Sequence, residues 1–375
     1  MFVTTDADRD RVYLDGNSLG RPAHAVADAV RAHLDAWAER LVGGWADWID
    51  LPRRAGDAIA PLVGARPGEV LACDSVTVNL FKLAGAVREG AIAVQATDFP
   101  TDRYVVAGLG RPVHPLAAAT PEAVRALPGD TGLVVVSQVD YRTGEAADVA
   151  AVTAAVHERG ARVLWDLSHS VGALEVGLAD AGADLAVGCT YKHLGAGPGA
   201  PAFLVVREDL VAELRSPIQG WFGQAEQFAM ERPYEPAPGI ERFLAGTPHI
   251  AGLEAVRAAA TLVGEAGVAR LAQRTRALTQ RIVDAAPAAM AVGSPRDPAR
   301  RGAHVALRHP DAWRITRALL DAGVVPDFRE PDVLRLGVSP LSTTEDEVDE
   351  GLARLREVLR TRAHERYDDA RARVT

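Results

Sequence analysis

Lysine is almost missing from this chain. Of 41 basic residues only two, Lys82 and Lys192, are lysine, and the other 39 are arginine. Wherever a positive charge alone suffices, the chain uses a group that stays protonated and cannot act as an amine nucleophile. A lysine that remains is a candidate for amine chemistry. Cysteine is scarce too. Cys73 and Cys189 are the only ones, which excludes a disulfide framework and suggests buried thiols in a reducing, cytoplasmic compartment. There is no run of 18 apolar residues, so no membrane-spanning helix is expected. The opening MFVTTDADRD carries acidic residues and no apolar segment, which argues against a signal peptide. The net charge is −9 with scattered basic residues, so nucleic acid is not an expected partner. No metal site is expected, and there are no internal repeats.

What is present fits a large domain with a smaller one: 375 residues, 48% of them hydrophobic. Short apolar runs alternate with helical patterns from residue 92 to 206, which predicts an α/β layer with a mostly parallel sheet. Strands are expected at Ile92–Gln95, Gly132–Val139, Arg162–Trp165, Leu185–Val187 and Pro201–Val206. Chemistry in such sheets gathers at the strands' carboxyl ends, which places Ser137, Asp166, His169 and Lys192 near one another. Lys192 lies in CTYKHLGAGPG, just past a strand and before Gly195, Gly197 and Gly199. An amine held there against flexible backbone can form a Schiff base with a carbonyl cofactor. Asp166 either pairs with a protonated pyridine nitrogen or caps a helix. His169 is otherwise a satisfied polar core residue.

Several other stretches carry two readings each. A helix is expected from Pro22 to about Leu41, with Val26, Val30, Leu34 and Trp37 on its apolar face. GGWADWIDL, with Trp45 and Trp48, is a core-packing loop or an aromatic wall near a pocket. In LACDSVTVNL, Ser75 is an N-cap and Thr77 lies in the first turn, so the segment is a plain cap or a phosphate site. Lys82, further along that helix, reads as solvated or partly packed. Phe99 stacks on a flat ring or sits in the core, and Thr101 and Asp102 start a helix. Helical pattern covers about Ile250 to Ala285, a link to the smaller domain. Arg335 interrupts an apolar strand between Leu334 and Leu336, so an anion must answer it: a bound substrate or a structural carboxylate. The tail from Arg371 reads as frayed.

YLDGNSLG, DSVTVNL, DFPTD, DYRTG, WDLSHSVGA and CTYKHLGAGPG, with GWFG and LRLGVSPL, together resemble the kynureninase family. The resemblance runs from residue 13 to about residue 340. It implies the fold-type-I architecture of the aspartate aminotransferase class, with an arm and helix over residues 1–40, a large cofactor domain over 41–255 and a small α/β domain over 256–375. It implies pyridoxal 5′-phosphate as cofactor and a homodimer with shared active sites. The implied reaction, in tryptophan catabolism, is hydrolysis of L-kynurenine or its 3-hydroxy derivative to the anthranilate and L-alanine.

The resemblance also implies roles. Lys192 would carry the cofactor and then remove the substrate's α-proton, and Asp166 would pair with the pyridine nitrogen. Phe99 would stack on the ring. Val76, Thr77, Ser137 and Tyr191 would surround ring and phosphate, with Asp102 and His169 close by. Trp221 and Thr247 would reach the phosphate from the partner subunit. Arg335 would clamp the substrate carboxylate, and Asn17, Ser18 and Trp45 would line its pocket. Tyr191 would transfer protons, tuned by the phosphate or Arg335. The family's YLN-like segment is replaced by His193, Leu194 and Gly195, which leaves the ring-substituent preference open. Another fold-type-I enzyme is the alternative, an aminotransferase or a cysteine desulfurase-like lyase. The latter needs a cysteine on a mobile loop, and neither cysteine lies in such a context. A non-catalytic binding protein would have no need of Lys192 and Asp166.

Overall fold

The computed structural model describes residues 1–3 and 10–370, so the tail from Arg371 lies outside the described residues. The chain enters through a two-residue strand, β1 (Val12–Tyr13). The next seven strands form one sheet: β2 (Val70–Ala72), β3 (Ala91–Gln95), β4 (Val113–Leu116), β5 (Thr131–Ser137), β6 (Arg162–Asp166), β7 (Leu185–Gly188) and β8 (Phe203–Val206). Their order is β2-β8-β7-β6-β5-β3-β4. Only β8 runs against its neighbours, β2 and β7, and the other pairings are parallel.

The near-continuous apolar strands follow from burial on both faces. Along β5, Val134 and Val136 join one core while Leu133 and Val135 join the other, as the period-2 alternation requires. Helices Leu51–Val63, Val149–His157 and Ile250–Ala266 cover the first face. Helices Val76–Ala86 and Pro100–Gly108 cover the second.

A smaller unit follows, with strands β9 (Ala291–Val292), β10 (His304–Arg308), β11 (Val324–Val325), β12 (Asp327–Arg329) and β13 (Val333–Gly337). Four of them form the antiparallel sheet β12-β13-β10-β9, backed by helices Ala312–Asp321 and Glu345–Arg360. Thr344 and Glu347 close a reciprocal cap at the start of the last helix. Strand β1 pairs in parallel with β11, and Val12 and Leu14 are buried in this second core. The first forty residues are thus divided: β1 packs with the smaller unit, while helix His24–Arg40 lies on helix Ile250–Ala266 of the larger one. That second helix carries the large core past residue 255, through Val256, Ala259, Ala260 and Val263. The helical run expected over 250–285 is two helices, parted at Gly267, whose φ of 84° a side chain would resist.

Two expectations need correcting. The face predicted for the first long helix is buried only at its start. Val26 is packed, but Leu34 is 47% and Trp37 56% exposed, because the helix meets its neighbour through its first turns. Lys82 is not solvated at all: it is 0% exposed, on the helix that covers the second face of the large sheet against β7 and β8. Its ammonium is held by Asp74 and by the carbonyl of Phe243 at 2.6 Å. A three-dimensional contact with residue 243 could not be read from helical periodicity.

Candidate active site

Three parallel strands end side by side. Ser137 at the end of β5 is in register with Asp166 at the end of β6, and Asp166 with Val187 on β7. The chain leaving β7 turns through Thr190, Tyr191 and Lys192. The N-terminal segment YLDGNSLG lies across this turn, with the amide of Gly20 donating to Tyr191 O at 2.9 Å. A Cβ on Gly20 would meet Lys192 O at 2.4 Å, so only glycine allows this approach. The same segment touches the small unit, where a Cβ on Gly337 would fall 1.5 Å from Asn17 Oδ1. A cavity of about 320 Å³ results between the two units.

Eleven of the predicted site residues line that cavity: Asn17, Ser18, Val76, Thr77, Phe99, Ser137, Asp166, His169, Tyr191, Lys192 and Arg335. Four do not. Trp45 is packed against Phe222 at 6.0 Å between ring centroids. Trp221 is 40% exposed on the surface. Thr247 lines a separate cavity of about 260 Å³, which shares Asp74 and Gly199 with the first. Asp102 is buried behind the lining, and neither of its carboxylate oxygens has a partner among the described residues.

The electrostatics are those of a buried, mutually perturbing cluster. Lys192 Nζ lies 3.1 Å from His169 Nε2. Burial, then the charge of Lys192, holds His169 well below the usual imidazole range. Its ring is therefore neutral and can accept at Nε2, which puts its proton on Nδ1. Asp166 accepts from the Ser168 amide at 2.7 Å, and burial raises its pKa while Lys192 pulls it back down. Asp102 is raised well above the usual carboxylate range by burial and by the charges of Asp166 and Asp98. Tyr191 is raised by burial first and then by Cys189. Tyr191 therefore stays a phenol that can donate. Phe99 is 42% exposed at the cavity mouth and edge-on to Tyr141 at 5.4 Å, so it is not a core residue.

Arg335 already has an anion. Its guanidinium bonds Asp327, with Nε 2.5 Å from Oδ2, and donates to Tyr141 O. Asp327 on β12 stands directly opposite Arg335 on β13, and Arg329 Nε is 3.1 Å from the same carboxylate. Arg335 Nη2 also lies 3.4 Å from Ser18 Oγ.

Sequence reasoning missed Asp98 and Asp327. Asp98 accepts from Ser137 Oγ at 2.6 Å and from the Phe99 amide at 2.8 Å, and burial raises it to about 6. Its signal was present, since DFPTD carries two carboxylates around a helix start. Asp327 gave no signal, because its strand is only three residues long.

A cofactor with a ring, a carbonyl and a phosphate has matching residues here. The first-turn amides of the helix starting at Val76 have no acceptor within the helix, and its dipole favours an anion. Ser75 caps that helix through the Val78 amide at 3.3 Å. Asp166 and Lys192 share the cavity wall, and the orphaned Nδ1 of His169 and oxygens of Asp102 leave polar capacity nearby. Among the described residues no group of three or more His, Cys, Asp or Glu side chains could hold a metal.

Residues 117–308 match the family model for aminotransferase class-V, and residues 269–355 that for the kynureninase C-terminal domain. A kynureninase of Pseudomonas fluorescens is 40% identical over 370 residues, covering 93% of this chain and 89% of that protein. This chain belongs to the kynureninase family. A kynureninase of Deinococcus radiodurans is likewise 40% identical, over 94% of this chain and 91% of its own. Solved structures at lower identity support the fold-type-I architecture. The apo cysteine desulfurase of Thermococcus onnurineus NA1 superposes with a TM-score of 0.82 at 18% identity, over 96% of this chain and 100% of that one. The cystine C–S lyase C-DES does so with 0.84 at 19%, over 94% and 99%. Against the desulfurase alternative, both thiols of this chain are buried, and burial raises both, Cys73 to about 12.

Proposed function

We propose that this chain hydrolyses the Cβ–Cγ bond of L-kynurenine, or of 3-hydroxykynurenine, to give anthranilate or 3-hydroxyanthranilate and L-alanine, within tryptophan catabolism. The observation that carries this reading is one cavity lined by Lys192, Asp166 and Arg335 in a chain 40% identical to kynureninases over nearly its full length. Pyridoxal 5′-phosphate, bound through Lys192, supplies an electron sink for charge developing on the substrate carbons.

The chain's own residues do the rest. Val76 and Thr77 offer amides and a hydroxyl to the phosphate. Asp166 would pair with the ring nitrogen and favour its protonated form, Phe99 would stack on the ring, and His169 would lie close by. Lys192, once free, is the base that takes the substrate's α-proton and returns it later. Water adds to the substrate's γ-carbonyl, collapse of that hydrate breaks the Cβ–Cγ bond and releases the aromatic acid, and Tyr191, held as a phenol, donates the proton that Cβ gains as it becomes the methyl group of alanine. Arg335 binds the substrate carboxylate, with Ser18 and Asn17 beside it. The active unit is a cytoplasmic homodimer in which Trp221 and Thr247 serve the partner's cavity. Their position outside the Lys192 cavity supports this, as do the exposed Trp37, Phe228 and Met230.

The test is direct: anthranilate fluorescence released from kynurenine by the protein loaded with pyridoxal phosphate, followed by competition with 3-hydroxykynurenine. No release of either aromatic acid would refute the reading. Asp166→Asn is expected to keep bound cofactor and lose roughly a hundredfold in kcat, because a neutral amide no longer favours the charged ring. A normal kcat in that variant would refute the pairing.

A further inference from the structure

Lys82 has no part in the chemistry above, yet it is the second of only two lysines and is wholly buried. Its ammonium meets three groups from two distant stretches of chain. Asp74 takes one bond, the Phe243 carbonyl another at 2.6 Å, and Cys73 Sγ lies at 3.8 Å. A compact ammonium with three rotatable donors satisfies this corner; the wide planar fork of arginine does not match it. A buried ion pair is weak evidence for a gain in stability, since apolar residues of similar volume often do as well. What it fixes is position.

One stretch lines the Lys192 cavity and the other lines the cavity next to it. Asp74 has a φ of 46°, a left-handed conformation that Asp tolerates but does not prefer. It immediately precedes the cap Ser75 and the cavity-lining Val76 and Thr77. Phe243 ends a short turn, four residues before Thr247. Asp74 lines both the Lys192 cavity and the neighbouring cavity that holds Thr247.

We propose that Lys82 is a positioning residue for the cofactor phosphate: it pins Asp74, and with it the amino end of the helix at Val76, against the segment from Phe243 to Thr247. This rests on the reading of pyridoxal phosphate as the cofactor. Without the pin, the loop at Asp74 is free to leave its disfavoured conformation, and the first-turn amides lose their aim at the phosphate. Binding of the ring, through Lys192 and Asp166, does not depend on that corner.

The experiment compares two ligands, pyridoxal 5′-phosphate and pyridoxal, titrated into full-length protein from which cofactor has been removed. The variants are Lys82→Met and Asp74→Ala. The second leaves Lys82 and its bond to the Phe243 carbonyl in place and removes only the pinned carboxylate from a residue whose φ stays disfavoured, so it reports even where loss of the buried ammonium prevents folding. For either variant the Kd for pyridoxal phosphate is expected to rise about tenfold, and that for pyridoxal by less than about twofold. Equal weakening of both ligands would mean general loosening of the fold and would overturn the proposal, as would unchanged affinity for both. A wild-type protein with no preference for the phosphorylated ligand would overturn the cofactor reading itself, and this inference with it.

Discussion

Lys192→Ala is expected to abolish anthranilate release while the protein stays folded. The substitution removes the amine that holds the cofactor and the base that takes the α-proton, and loss of a positioned base alone costs roughly 10²–10⁴-fold. Lys192→Arg should do the same, because a guanidinium cannot be deprotonated to act as either nucleophile or base. In the alanine variant the neighbouring His169 loses the partner of its Nε2, and its Nδ1 has none among the described residues. The penalty for one unpaired buried group, about 1–3 kcal/mol, sets the expected loss of stability. Turnover measured with saturating kynurenine and added cofactor decides the matter: residual activity above a few per cent would show that another group carries the chemistry. Lys82→Arg, by contrast, should not be silent, because that side chain is buried and paired.

Arg335 should prove both structural and functional. From sequence, a substrate anion implies that Arg335→Lys barely changes stability, and a structural carboxylate implies that it lowers it. Asp327 is such a carboxylate, since both partners of the pair are buried, at 1% and 3% side-chain exposure. Lysine can keep the charge but loses either the Asp327 contact or the bond to Tyr141 O. One charge-assisted hydrogen bond lost costs about 1.5–3 kcal/mol of folding stability. The same loss of fork geometry towards a substrate carboxylate lowers kcat/KM by about ten- to a hundredfold. Asp327→Asn separates the two roles. It should destabilise by about 3–5 kcal/mol, the cost of breaking a buried pair, because Arg329, a second cation on the same carboxylate, then faces Arg335 with no anion between them. Because the substrate then meets a guanidinium with less competition, KM should not rise. Urea unfolding and steady-state kinetics on both variants check this. An Arg335→Lys protein with normal kcat/KM and reduced stability would leave only the structural role.

The strand-end cluster was legible because its members lie in contiguous motifs and the α/β alternation dictates where strand ends meet. Ser137, Asp166, His169 and Lys192 needed no more than the rule that parallel strands deliver their carboxyl ends to one edge. Phe99 was placed in its neighbourhood by the same rule, and the family resemblance supplied Arg335, Asn17 and Ser18 from the far unit. The Asp98 link to Ser137 spans 39 residues and was not legible, although both ends sit at expected strand termini. The apolar face of the first helix was misjudged because periodicity states which side is apolar, not what covers it.

By itself, then, the sequence determined the sheet, the chemistry of Lys192 and Asp166, and the family. These follow from local patterns: strand alternation, turn glycines, and residue types whose reactivity travels with them. Tertiary structure alone decided which charges answer which. It placed Asp327 opposite Arg335 through the register of a three-residue strand. It sank Lys82 between Asp74 and Phe243, 161 residues apart from the latter, and it sent β1 into the core of the C-terminal unit. The physical reason is that a buried charge has no preferred partner in sequence. Its partner is whichever group the packing of distant elements brings within hydrogen-bond reach once water is excluded.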